Sequence, residues 1–243
     1  MAQEIDIDYN ASVEDICIPS KWVEACVDSH VRLGFEPSGM KRAGLDVADE
    51  GEDENSLIMA HGSVVFSIQS WKEGTTTQTA RKAYSECEDQ GVQLINYDSI
   101  GVGAGVKGGL NDHISSKSNP IEIAGVNVGS TELPGFWCDE KRNKDMFMNL
   151  KAKLWWNIRE RCKKTYENVT GKEDHPTDEL ISIPNNSKLI QQLSQPKRMY
   201  SETGKIQIEP KKSLKKRGIK SHNEADALVL CFHNETINES GVW

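Results

Sequence analysis

The sequence predicts an α/β domain built on a mixed β-sheet, and three observations predict it. Three apolar runs follow one another (AGLDVA from Ala43, LIMA, then SVVFSIQSW) with only short turn-rich gaps between them, the pattern of adjacent antiparallel strands. Two later runs, VQLINYD and IEIAGVNV, alternate with helical segments, as crossover units require. The 243 residues are 37% hydrophobic and 27% charged, enough to bury a core without staples.

The elements are expected in this order. Residues 1–18 are acidic and weakly patterned and read as a linker or tail; Pro19 and Ser20 then introduce a short helix over KWVEACVDSH. The first strand runs into an acidic loop, DEGEDEN, and His61-Gly62 marks a tight hairpin between the next two strands. From Thr75 to Gln90, Ala80, Ala83, Tyr84 and Cys87 recur at helical spacing, with threonines before and Gly91 after. VQLINYD is a short buried strand, GVGAGVKGGLNDHISSKS a loop leading into a helix, and IEIAGVNV a fifth strand. A strong helix begins near Lys144, placing Phe147, Leu150, Leu154, Trp155, Ile158 and Cys162 on one apolar face. RMYSETGKIQI reads as a hairpin turning at Thr203-Gly204. Ser221 and Glu224 spell a capping box for a last helix that buries Ala225, Leu228, Val229 and Phe232.

Composition narrows the functional classes. The net charge of −8 is uneven: residues 1–60 hold four basic against fourteen acidic side chains, and residues 197–220 nine basic against two acidic. Such a chain is not coated for nucleic acid but can grip a polyanion at one place. Six scattered cysteines without a C-x-x-C pair imply reduced thiols in a cytoplasmic protein. No apolar run reaches the roughly 18–20 residues of a membrane span, and the acidic start MAQEIDIDYN is not a signal peptide. A P-loop sequence is absent, the glycine-rich GVGAGVKG is a weak dinucleotide fingerprint, and D-V-A-D-E-G fails as a calcium loop because Ala48 and Leu57 take ligand positions.

Three aspartates occupy costly places. Asp46 lies inside the first strand, Asp98 ends the fourth, and Asp226 sits in the second turn of the last helix among alanines and leucine. Carboxylates in apolar elements require neutralisation; a salt bridge supplies it for any one of them. Three together repel one another unless a cation shares the site, and all-oxygen ligation selects magnesium or manganese. Two such ions about 3.5–4 Å apart make a phosphodiester cleavage centre. Lys211, Lys212, Lys215, Lys216, Arg217 and Lys220 immediately precede Asp226, where they would track a phosphate backbone without reading bases.

GLDVADEG, NYDSIGVGAG, FMNLKAKLWWNIRERC and GKIQIEPKKSLKKRGIKSHNEADALVL, in that order, resemble the C-terminal nuclease domain of bacteriophage large terminase subunits, of the headful-packaging, short-tailed phage type. The resemblance runs from about Ser20 to Phe232. It implies a ribonuclease H-like fold at residues 31–243, with residues 1–30 as a linker or tail from an ATPase motor domain. It further implies a metal-dependent endonuclease that cuts concatemeric viral DNA in the host cytoplasm. Two Mg2+ or Mn2+ ions would sit on Asp46, Asp98 and Asp226, with a fourth ligand among Asp49, Glu52 and Asp53. Double-stranded DNA, guided by the basic segment and Lys107, is the implied substrate; the motor domain, the small terminase subunit and the portal are the implied partners. His222 stands where the family pattern has a proline. A junction resolvase or transposase-like nuclease shares the carboxylate pattern, and a non-catalytic DNA- or capsid-binding module would use the aspartates as ion pairs.

Overall fold

A computed structural model describes residues 15–48, 54–100, 105–106, 108–110, 120–138 and 141–233. Five strands form the expected mixed sheet: β1 (Lys41–Asp46), β2 (Asn55–His61), β3 (Val64–Trp71), β4 (Leu94–Asp98) and β5 (Glu122–Val126), in the spatial order β3-β2-β1-β4-β5. The first three are antiparallel neighbours; β4 pairs with β1, and β5 with β4, in parallel. Gly62 takes φ +58 at the predicted hairpin, a conformation glycine adopts without Cβ strain.

Helices cover both faces. On one, α3 (Thr76–Asp89) packs Ala80, Ala83, Tyr84 and Cys87 onto Ala43, Leu45, Leu57 and Met59. Its capping box pairs Thr75 with Gln78, so helix and cap are as the sequence predicts. The opposite face carries α1 (Ser20–Cys26), α5 (Leu150–Val169), α6 (Ser187–Ser194) and α8 (Asn223–Cys231) around a larger core. Two hairpins stand outside the sheet, β6 (Phe136–Cys138) with β7 (Lys141–Arg142), and β8 (Arg198–Tyr200) with β9 (Ile206–Ile208). All six cysteines are free and only Cys138 is exposed. No helix among the described residues is long and apolar enough to cross a membrane.

Four local expectations are corrected. The segment KWVEACVDSH is not one helix: Asp28 turns left-handed and separates α1 from α2 (Ser29–Leu33). Cys17, Ile18, Val23 and Cys26 are buried in the larger core, so residues 15–30 pack into the body instead of standing apart as a linker. The helix expected from Lys144 is a short α4 (Asn143–Met146), a break at Phe147, then α5 opening on an Asn149 cap that accepts from Ala152 N at 3.0 Å. Ser221 and Glu224 form no capping box. Ser221 turns to Asn223, and the N-cap residue His222 makes no side-chain cap bond.

Candidate active site

Strand β1 is covered on both sides, and its alternation sends Ala43 and Leu45 to α3 while Arg42, Gly44 and Asp46 face α8. In the parallel register Leu45 lies opposite Tyr97, so Asp46 and Asp98, one residue further on, end adjacent strands side by side. Asp98 is fixed by a turn of its own chain, accepting from Ile100 N at 3.0 Å. The third carboxylate arrives on α8. Gly44 lets that helix lie on the β1 backbone itself, since a Cβ there would fall 2.0 Å from Ala227 O. Because the helix starts at Asn223, Asp226 sits in its first turn and not, as the sequence suggests, its second; that turn is pressed against the strand that ends in Asp46, where the helix dipole favours an anion.

The three predicted aspartates share one electrostatic site. Asp46 is pushed up to about 7, first by burial and then by repulsion from Asp226, with Asp98 adding to it. Burial also raises Asp98. Burial acts to raise Asp226 too, but Lys151 and Lys211 outweigh it and hold that carboxyl below its ordinary value. Lys151 Nζ lies 2.9 Å from both oxygens of Asp226, and Lys211 Nζ stands 3.8 Å from Oδ2. Trp155 Nε1 donates to Oδ1 at 3.2 Å, fixing the carboxylate's orientation. A surplus of buried negative charge on an all-oxygen donor set, offset here by ammonium groups, suits a hard divalent cation.

The basic segment is helical where it meets the site. Lys211–Lys216 form helix α7 after Pro210, and Lys211 reaches the carboxylates. Lys212, Lys215, Lys216 and Lys220 are exposed. Arg217 is also exposed but has one nitrogen committed: its Nη1 donates to the buried Glu209 carboxylate and to Gln195 O. Lys107, Asp49, Glu52 and Asp53 lie outside the described residues.

Sequence reasoning missed Lys151 and gave Trp155 only a place in the core. Trp155 is on the buried face of α5, and Lys151 stands one turn before it on the same face; a cation there demands an anionic partner. His222, noticed in the sequence only as a departure from the family pattern, also borders the site. It sits edge-on to Trp155, 6.4 Å between ring centroids, and burial lowers it to about 4 against the pull of Asp226. At the far end of α5, Glu167, Glu173 and His175 bring ligand atoms within 4.8 Å of one another. Glu167 and His175 are already an ion pair at 2.9 Å, some 24 Å from Lys151 at 1.5 Å per helical residue.

No family model and no curated protein sequence matches the chain. Solved structures do. The nuclease domain of the large terminase subunit gp2 of bacterial virus Sf6 superposes with TM-score 0.81 at 27% identity, over 90% of this chain and 98% of that one. By fold and by sequence likeness the chain is similar to the nuclease domains of bacteriophage large terminase subunits. A lysine-to-alanine variant of the Sf6 domain, solved with manganese, matches at TM-score 0.81 and 26% identity, over 90% and 99% of the two chains. The large terminase nuclease of thermophilic phage G20c, solved with cobalt, matches at TM-score 0.55 and 14% identity over 81% of each chain; that likeness is one of fold. The mixed five-stranded sheet between helices is thus the ribonuclease H-like layout that the terminase nuclease domains share.

Proposed function

We propose that this chain is a metal-dependent endonuclease of genome packaging, which cuts concatemeric viral DNA by two-metal in-line phosphodiester hydrolysis. The observation that carries the reading is the convergence of Asp46, Asp98 and Asp226 on one electrostatic site from β1, β4 and α8. The fold is that of the Sf6 domain solved with manganese.

Asp46, Asp98 and Asp226 would hold two Mg2+ or Mn2+ ions, which when bound activate a water and steady the leaving 3′ oxygen. The chain's own groups prepare that centre. Trp155 keeps Asp226 in one orientation, and Lys151 and Lys211 offset its charge. Asp98 is held by the backbone of its own turn. The exposed lysines of α7 and Lys220 would lie along a phosphate backbone leading to Lys211, positioning the duplex without selecting a sequence. In this reading the domain works in the host cytoplasm beside an ATPase motor domain, a small terminase subunit and a portal.

Nicking of supercoiled plasmid with manganese tests it. Asp46→Asn is expected to abolish cleavage while circular dichroism stays that of the wild type. Nicking by this variant at the wild-type rate would refute the carboxylate mechanism.

A further inference from the structure

Helix α8, which presents Asp226, is fastened differently at its two ends. Its C-terminal carbonyls are held from the sheet: the buried Asn96 on β4 donates to Leu230 O at 2.9 Å and to His233 O at 3.0 Å. Its first turn has no side-chain cap of its own, because His222 supplies none. Two of the contacts that hold that turn come from α6. Gln192 Oε1 accepts from Ala225 N at 3.1 Å, one residue before Asp226. One turn earlier on α6, Lys188 Nζ lies 2.9 Å from Glu224 Oε1. Lys188 and Gln192 are four residues apart and so project from one face of the helix.

The same ammonium group reaches a second segment of the site. Lys188 Nζ is 2.7 Å from Glu54 Oε2, and Glu54 directly precedes β2 at the end of the acidic loop that follows Asp46. Ser70 Oγ donates to Glu224 Oε1 at 2.9 Å and stands 3.2 Å from Ser56 Oγ. Ser56 in turn pairs with Asp46 across the sheet. Glu224 is 3% exposed, so with Lys188 removed its carboxylate would keep Ser70 alone in a dry setting. Left with that single partner, the carboxylate would shift to regain others, and the turn carrying Asp226 would move with it.

We infer that Lys188 and Gln192 are positioning residues for the carboxylate centre: a two-point clamp from α6 that fixes the first turn of α8, and with it Asp226, against the end of β1. The inference rests on the nuclease reading. Helix α6 does not need Lys188 to stay docked, since Leu189 and Leu193 anchor it in the core with no exposure.

Calorimetric titration of Mn2+ into the domain, with plasmid nicking against Mn2+ concentration, tests the clamp. Lys188→Met is expected to weaken Mn2+ affinity about tenfold, as loss of an outer-shell partner does, and to shift the half-saturation for nicking by the same factor. Lys188→Arg, which keeps the ion pairs, restores both; a merely structural loss would show as a lower melting temperature with metal affinity intact. Gln192→Leu removes the second point without stranding a charge, and it moves affinity in the same direction even if Lys188→Met does not fold. Mn2+ affinity within twofold of wild type in whichever variants fold overturns the clamp. A wild-type domain that takes up no Mn2+ refutes the nuclease reading itself, and the clamp falls with it.

Discussion

The contact at Gly44 makes the sharpest demand on the site. A Cβ built on Gly44 falls 2.0 Å from Ala227 O and 2.3 Å from Cys231 N, whereas such contacts essentially never close below 3.0 Å. Both obstructing atoms are α8 backbone, so neither can rotate aside. Gly44→Ala must therefore lift α8 from β1 by about 1 Å, the difference between 3.0 and 2.0 Å. Overpacking of this kind costs about 1–3 kcal/mol; at roughly 2–4 °C per kcal/mol for a chain of this size, the melting temperature drops by about 2–12 °C. Asp226 rides on the lifted helix, and a misplacement of about 1 Å in a catalytic group costs on the order of a hundredfold in rate. Thermal melts followed by circular dichroism, and initial rates of plasmid nicking at saturating Mn2+, read the two effects. Gly108→Ala is the control, because no atom lies within 4 Å of the added carbon. Wild-type stability in Gly44→Ala would mean that α8 does not rest on β1. Lost stability with full activity would show that the spacing of the helix does not set the carboxylate centre.

Three further outcomes follow from the charges. Asp46 titrates near 7 when folded against 3.8 for an ordinary aspartate. The folded state therefore holds the extra proton, and this group's contribution is lost as pH rises from about 4 to about 7; His222, held near 4 against 6.5, works in the opposite sense up to about pH 6.5. In EDTA, Asp46→Asn should therefore melt above wild type at pH 8, by up to a few kcal/mol of stability, with the gap closing toward pH 4; a gap independent of pH would refute the assignment. Lys151→Met leaves buried Asp226 without its closest cation and should cost about 3–5 kcal/mol in EDTA, with a larger melting-temperature gain on adding Mn2+ than wild type shows; equal gains would mean that Lys151 does not share its place in the charge balance with an ion. Replacing Lys212, Lys215, Lys216 and Lys220 by alanine should lower the slope of log affinity for DNA against log salt by up to about 3.6, at 0.9 per phosphate contact, whereas Arg217→Ala should instead destabilise the fold by stranding Glu209; an unchanged slope in the fourfold variant would remove the basic segment from the DNA path.

Features fixed by neighbours in the chain were legible in the sequence. The His61-Gly62 hairpin, helix α3 with its threonine cap, and the turn at Gly204 all rest on residues within a few positions of one another. The local readings that failed were those in which a distant partner competed. Ser221 and Glu224 have the spacing of a capping box, yet Glu224 finds Ser70 and Lys188, 154 and 36 residues away, and those contacts win. The run before Asp226 reads as one basic patch, but buried Glu209 claims one guanidinium nitrogen of Arg217. Asn149 is a plain N-cap once α5 is known to start after it. The helical spacing on either side of the break at Phe147 hid that start.

The site divides along the same line. A carboxylate inside an apolar strand or helix is an anomaly visible residue by residue, which is why Asp46, Asp98 and Asp226 stand out before any fold is known. What neutralises them is not local: Lys151 reaches Asp226 across 75 residues, and its absence from the sequence reading has a physical cause. A lysine at the start of a helix normally keeps its ammonium group in water, and only the approach of α8 over Gly44 brings an anion to it. The anionic half of the centre is therefore written in the strands and the last helix, while the cationic half exists only after α5, α7 and α8 have packed. Substitutions at the packing contact are accordingly expected to disturb the charge balance as much as substitutions of the charges themselves.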